Sequence, residues 1–194
     1  HDTETAGLGV NGGYNILFAY NTVYSVSRDH FFEANFGGQG CDPTPEQPVC
    51  RTNYTAGGWG RATPAEGDIA IPNKHVYVYN NIFANRSGVV TPYILQMAGP
   101  VTQPAANTLP SRKMADEDLQ MKGNVIWSNS DDLGIGEETG CASSNPTCNP
   151  TQLRRDNQIN SVNPAFVNAA QGDFRLSGAL SGTVFDIPSF PGGD

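Results

Sequence analysis

The chain has 194 residues, of which 38% are hydrophobic, and with 22 Gly and 14 Pro but no low-complexity tract it reads as one loop-rich folded domain and not as a disordered segment. A formal net charge of −8 excludes nucleic acid as a partner, because phosphates would be repelled, and it disfavours an anionic polysaccharide unless a cation bridges the two. No stretch is long and apolar enough to predict a membrane span.

Along the chain, Leu8-Gly9-Val10 predicts a first short strand, and Ile16 to Tyr24 a strand, a bend and a second strand. Apolar residues alternate up to Asn21 and restart immediately after it, as in strands with one buried face. The same template recurs at Val76–Ala84 and at Leu119–Trp127. With Asn21, Asn81 and Asn124 as origin, the position five before is Ile16, Val76 or Leu119, three before is Phe18, Val78 or Met121, and two after is Val23, Phe83 or Ile126. Repeats of this kind mark units that are too small to bury their own apolar face and gain a core only by stacking. The expectation is an all-β solenoid in which the three asparagines form a hydrogen-bonded ladder at a tight bend whose left-handed backbone Asn tolerates.

His30–Phe36 and Pro92–Met97 supply further strands, giving three strands per turn and about three to four turns. The Asn21-to-Asn81 and Asn81-to-Asn124 spacings of 60 and 43 residues exceed what three short strands need. The excess falls in insertions at 37–73, 99–117 and 129–158, and long loops on one edge of a regular scaffold are where binding surfaces usually sit. The whole of 1–194 is expected to be one domain.

The cysteines form two close pairs, Cys41 with Cys50 and Cys141 with Cys148, in polar loops without compact zinc-ligand spacing or a nearby histidine. Two local disulfides are expected, and they imply a secreted or cell-surface location. Asn53-Tyr54-Thr55 and Asn85-Arg86-Ser87 match the glycosylation acceptor pattern. The first turn starts close to His1 with no polar cap over it, so an open N-terminal end is expected. That end would come from processing of a longer β-helix or would stack on a second copy or another β-helix segment.

The tail Asn163-Pro164-Ala165-Phe166 … Gly172-Asp173-Phe174-Arg175-Leu176 resembles the closing motif of right-handed parallel β-helix proteins of the pectate-lyase-like superfamily. The asparagine repeats are similar to that superfamily's turn between its second and third strands. Segments such as Gly38-Gln39-Gly40-Cys41-Asp42 and Gly57-Gly58-Trp59-Gly60 resemble uncharacterised secreted bacterial β-helix proteins. The resemblance implies a right-handed parallel β-helix, and it spans lyases, hydrolases and adhesins without selecting one.

A lyase of that kind requires an aspartate cluster holding calcium and a basic residue beside it. Arg28, Asp29, His30 and Glu33 are the catalytic candidates, and Asp116, Glu117 and Asp118 the calcium candidates. Strand alternation sends His30 and Glu33 to opposite faces. Trp59, between glycines in the longest loop, is the candidate platform for a polysaccharide. The favoured function is a structural, assembly or surface-interaction module, and the alternative is a carbohydrate-active or carbohydrate-binding protein.

Overall fold

The computed structural model describes residues 6–27, 30–36, 73–91, 93–98, 101–102, 112–113, 118–129, 134–135 and 148–191. Strands β1 (Leu8–Asn11), β2 (Tyr14–Ala19) and β3 (Thr22–Tyr24) are followed by β4 (His30–Asn35), β5 (Lys74–Tyr79), β6 (Ile82–Ala84) and β7 (Tyr93–Met97). Then come β8 (Val101–Thr102), β9 (Arg112–Lys113), β10 (Leu119–Lys122), β11 (Val125–Trp127) and β12 (Gly134–Ile135). Helix α1 (Pro150–Asp156), β13 (Gln158–Ile159), β14 (Phe166–Asn168) and β15 (Asp173–Leu176) complete the order.

The strands form three parallel sheets, ordered β1-β4-β7-β12, β2-β5-β10 and β3-β6-β11-β13. The chain visits them in the same cyclic sequence, so each sheet gains one strand per pass. Register keeps equivalent residues in line: Ile16, Val76 and Leu119 form one inward column, and Phe18, Val78 and Met121 a second. Val23, Phe83, Ile126 and Ile159 form the column of the third sheet. With Phe32, Ala34, Leu95 and Met97 of the first sheet they make one hydrophobic cluster. Period-two alternation of β-branched and aromatic residues has this outcome when neighbouring strands share a register.

The bend departs from expectation in one detail. The left-handed residue is not the asparagine but the one before it: Tyr20 at φ 57°, Asn80 at φ 55° and Gly123 at φ 70°. Asn21, Asn81 and Asn124 are thereby released from the turn itself, and their amides point along the stack. The segment 129–158, expected as an insertion, contains β12 and α1.

Helix α1 occupies the place of a fourth strand in the second sheet. Asn149 caps it by accepting from the Gln152 N–H at 2.9 Å, and Pro150 stands in the first turn, where a missing N–H costs nothing. The β10 edge is satisfied from the helix: Gly123 N donates to Asp156 O at 2.7 Å, and Gln152 Nε2 and Asn157 Nδ2 donate to Met121 O. Leu153, 2% exposed, closes the core at that end. Beyond it, β14 and β15 form an antiparallel hairpin. The tail then returns over the outer face of the second sheet, where Asn80 Nδ2 donates to Phe185 O at 2.9 Å and Asn80 Oδ1 accepts from Phe185 N at 3.0 Å. Phe190 stacks on Tyr77 with centroids 4.9 Å apart.

Asp156, 8% exposed, fixes the helix end. The Arg155 guanidinium beside it holds its carboxyl below the usual carboxylate range, against the opposing effect of burial, with help from the Gln152 bond and the Lys122 charge. A depressed folded-state pKa contributes stability that is present above the ordinary aspartate value of about 3.9 and is lost as pH falls through the folded value. Asp156→Asn is expected to lower stability by about 1 kcal/mol at neutral pH, since Arg155 is largely exposed. Urea unfolding at neutral and acid pH checks this: the mutant deficit should shrink toward zero in acid, and a deficit independent of pH rejects the role.

Candidate functional sites

The ladder runs through four asparagines. Asn21 N and Nδ2 donate to Asn81 Oδ1 at 2.9 and 3.0 Å. Asn81 N and Nδ2 donate to Asn124 Oδ1, both at 2.9 Å. Asn124 N and Nδ2 donate in turn to Asn157 Oδ1 at 3.0 and 2.7 Å. Every rung therefore points the same way, with acceptors facing the preceding turn. The two ends differ. Asn157 Nδ2 is used up on Met121 O and Leu153 O, whereas Asn21 is exposed and its Oδ1 accepts from no described residue. The apolar columns show the same polarity. Val76, Val78, Leu119 and Met121 are at most 1% exposed, while Leu8, Ile16 and Phe18 of the first turn are only partly buried. On the same turn Leu17 is 44% and Tyr20 68% exposed.

On the outer face of the second sheet, β5 and β10 present a polar network. Asp118 Oδ2 accepts from Tyr77 OH and lies 2.9 Å from His75 Nδ1, while Asp118 Oδ1 accepts from Gln120 Nε2 at 3.0 Å. Tyr79 OH donates to Gln120 Oε1 at 2.6 Å. Burial, followed by the charges of Asp118 and Asp156, raises the Tyr79 phenol above its ordinary value, so it remains a donor into alkaline solution. The network bonds neighbouring strands side chain to side chain beneath the Phe190 ring, and both carboxylate oxygens of Asp118 are occupied by it.

The third sheet carries a groove of about 390 Å³ on its outside. Tyr24, Ala84 and Trp127 share one register there. Arg86, Asn129, Asn163 and Phe166 complete most of its lining.

The residues expected to carry chemistry are dispersed. His30 is 6% exposed within β4, whereas Glu33 lies over Gly9 on the opposite side of that strand. Arg28, Asp29, Trp59, Asp116 and Glu117 lie outside the described residues. Asp118 is held by the network above, and no group of three His, Cys, Asp or Glu that could hold a metal exists among the described residues. Cys148 is fully buried and disulfide-bonded; Cys41, Cys50 and Cys141 lie outside the described residues. The Asn85 amide is unsuited to glycosylation in the folded chain. It is 5% exposed, and it accepts from Val26 N and donates to Thr91 Oγ1 at 2.7 Å. Asn53 lies outside the described residues.

Asn157 had a signal in the sequence. Asn157-Gln158-Ile159 repeats the asparagine followed two positions later by an apolar residue, but no alternating strand precedes it, because α1 stands there. The groove also had one: the third position after the ladder asparagine is Tyr24, Ala84 or Trp127, a large, small, large column that only stacking brings together. Searches against protein-family models, curated proteins and solved structures find no match for this chain.

Proposed function

We propose that the chain is a secreted right-handed parallel β-helix acting as an assembly module, which docks through its N-terminal turn. Support for the helical path comes from the cyclic visiting of three parallel sheets and from the near-universal right-handedness of parallel crossover connections. Its cysteines, taken as the local pairs Cys41–Cys50 and Cys141–Cys148, suit an oxidising compartment.

The observation that carries the assembly reading is the difference between the two ends. At one end α1 satisfies the edge of β10 and terminates the ladder. At the other, β1, β2 and β3 are the edge strands of their sheets among the described residues, beside half-buried Ile16 and Phe18. Unpaired strand edges next to apolar surface are sites of strand addition. Because α1 blocks the C-terminal end, the module does not stack head to tail into filaments. Two copies meet turn to turn and form a closed, isologous dimer.

Sedimentation velocity over a range of concentrations tests this. A reversible dimer is expected, converted to monomer by Phe18→Asp with the β-sheet circular dichroism kept. A monomer at every concentration, or filaments, overturns the reading. Carbohydrate cleavage is the weaker reading, since no acidic residue is found among the described residues that line the third-sheet groove and glycoside hydrolysis ordinarily requires two carboxylates.

A further inference from the structure

The tail is irregular from Gly178 onward, but its burial has a direction. Phe185, Ile187 and Phe190 are half-buried, and the second sheet anchors two of them, Phe185 through Asn80 and Phe190 through Tyr77. Val184 is turned outward and is 73% exposed, the highest value for any large hydrophobic residue described. It does not stand alone. The stretch Leu180–Val184 and Tyr20 wall a cavity of about 150 Å³ at the corner between the second and third sheets. Tyr20 OH accepts from Asn80 Nδ2 at 3.4 Å, so the side chain that holds the tail also touches the first turn. Leu17, in register with Tyr77, stands on the outer face of the same turn. Leu17, Tyr20 and Val184 therefore flank the β2 edge with exposed apolar surface.

That edge lacks the usual protection. Natural edge strands avoid pairing with other chains by carrying charges or proline, and Tyr14-Asn15-Ile16-Leu17-Phe18-Ala19 carries neither. An uncharged edge beside an apolar shoulder fits a copy of itself, and symmetry sets the register. In an isologous contact residue i meets j and j meets i, and inward side chains must meet inward ones. A twofold axis through Leu17, normal to the sheet, meets both conditions. Leu17 then lies opposite the partner's Leu17, and half-buried Ile16 opposite the partner's Phe18, which makes the apolar column continuous across the join. Tyr20 lies opposite the partner's Tyr14, at the end of β2 where Val184 stands.

We infer that the tail is part of the docking surface: Val184 and Tyr20 pack on the partner's β2 near Tyr14, so the tail strengthens the dimer while Asn80 holds it in place. This rests on the assembly reading above and adds a control to it, because whatever frees the tail loosens the pair.

Sedimentation velocity over a concentration series is to be run on the wild-type chain, Val184→Asp, Asn80→Ala and Thr151→Asp. Thr151 is exposed on α1, at the opposite end of the stack, and its variant adds the same charge as Val184→Asp. Val184→Asp should raise the dimer dissociation constant about a hundredfold, since an isologous contact holds each residue twice. Asn80→Ala should raise it about tenfold, and Thr151→Asp should leave it unchanged. Chymotrypsin cleavage after Phe185 reports the tail, which should stay protected in Val184→Asp and be released in Asn80→Ala. A wild-type dimer whose affinity is unchanged or tighter in Val184→Asp overturns the inference and leaves the assembly reading standing, and this does not depend on whether Asn80→Ala folds. Full affinity in Asn80→Ala with its tail released does the same. A wild-type monomer at every concentration overturns both.

Discussion

Replacing Asn124 with alanine is expected to destabilise the fold by about 3–6 kcal/mol, a large part of the 5–15 kcal/mol typical of a whole domain. Asn124 is 0% exposed and joins four strands' worth of backbone and side chain. Its Oδ1 accepts from Asn81 N and Nδ2, and its Nδ2 donates to Val78 O at 2.9 Å and to Asn157 Oδ1 at 2.7 Å. Truncation strands these partners where water does not reach, since Asn81 is 1% and Asn157 6% exposed. Each buried group left unpaired costs about 1–3 kcal/mol. Asn21→Ala should cost below about 1 kcal/mol, because the Asn21 N–H still donates to Asn81 and the side chain is exposed. Asn124→Asp keeps the acceptor for Asn81 but sets a carboxylate oxygen against Val78 O and Asn157 Oδ1, so it should resemble the alanine variant. Urea unfolding of all three gives the answer, and similar costs at positions 21 and 124 would contradict a cooperative buried ladder.

The contrast between those two positions follows from what was legible in the sequence. Strands β2, β5 and β10 could be read because alternation and an asparagine marker coincide, and both are local features. Their pairing was legible for the same reason, since one template repeated three times gives the register directly. The helix-for-strand exchange at α1 was not, because it depends on which backbone groups of β10 remain open, and these are known only once the sheet is built. Asn149-Pro150 is a good helix-start signal, yet it does not say that the helix will close a sheet edge. The Tyr24, Ala84 and Trp127 column shows the same limit: each residue looks ordinary on its strand, and the groove exists only in their sum. The returning tail, irregular from Gly178 onward, has no periodicity for a sequence pattern to detect.

That tail is the subject of the second large effect. Gly123→Ala is expected to cost about 2–5 kcal/mol and to release the tail from the second sheet. Positive φ alone does not explain the figure, because Tyr20 and Asn80 hold the same conformation at the equivalent bends with full side chains. The left-handed backbone contributes about 1–2 kcal/mol. The remainder is steric: a Cβ on Gly123 would clash with Asn80 Oδ1 and stand 3.2 Å from both Phe185 Cδ2 and Thr183 O. Asn80 must then swing away and give up both hydrogen bonds to Phe185, each worth about 0.5–1.5 kcal/mol. With Phe185 free, Phe190 loses its anchor over Tyr77. Chymotrypsin should cut after Phe185, which Asp186 follows, in the variant while sparing the wild-type protein under the same conditions. Asn80→Ala should release the tail by itself. The double variant should then cost clearly less than the sum of the two, because the clash in one is with the side chain removed in the other. Strict additivity, or a tail still protected in Gly123→Ala, would mean that residues other than Asn80 hold the tail in place.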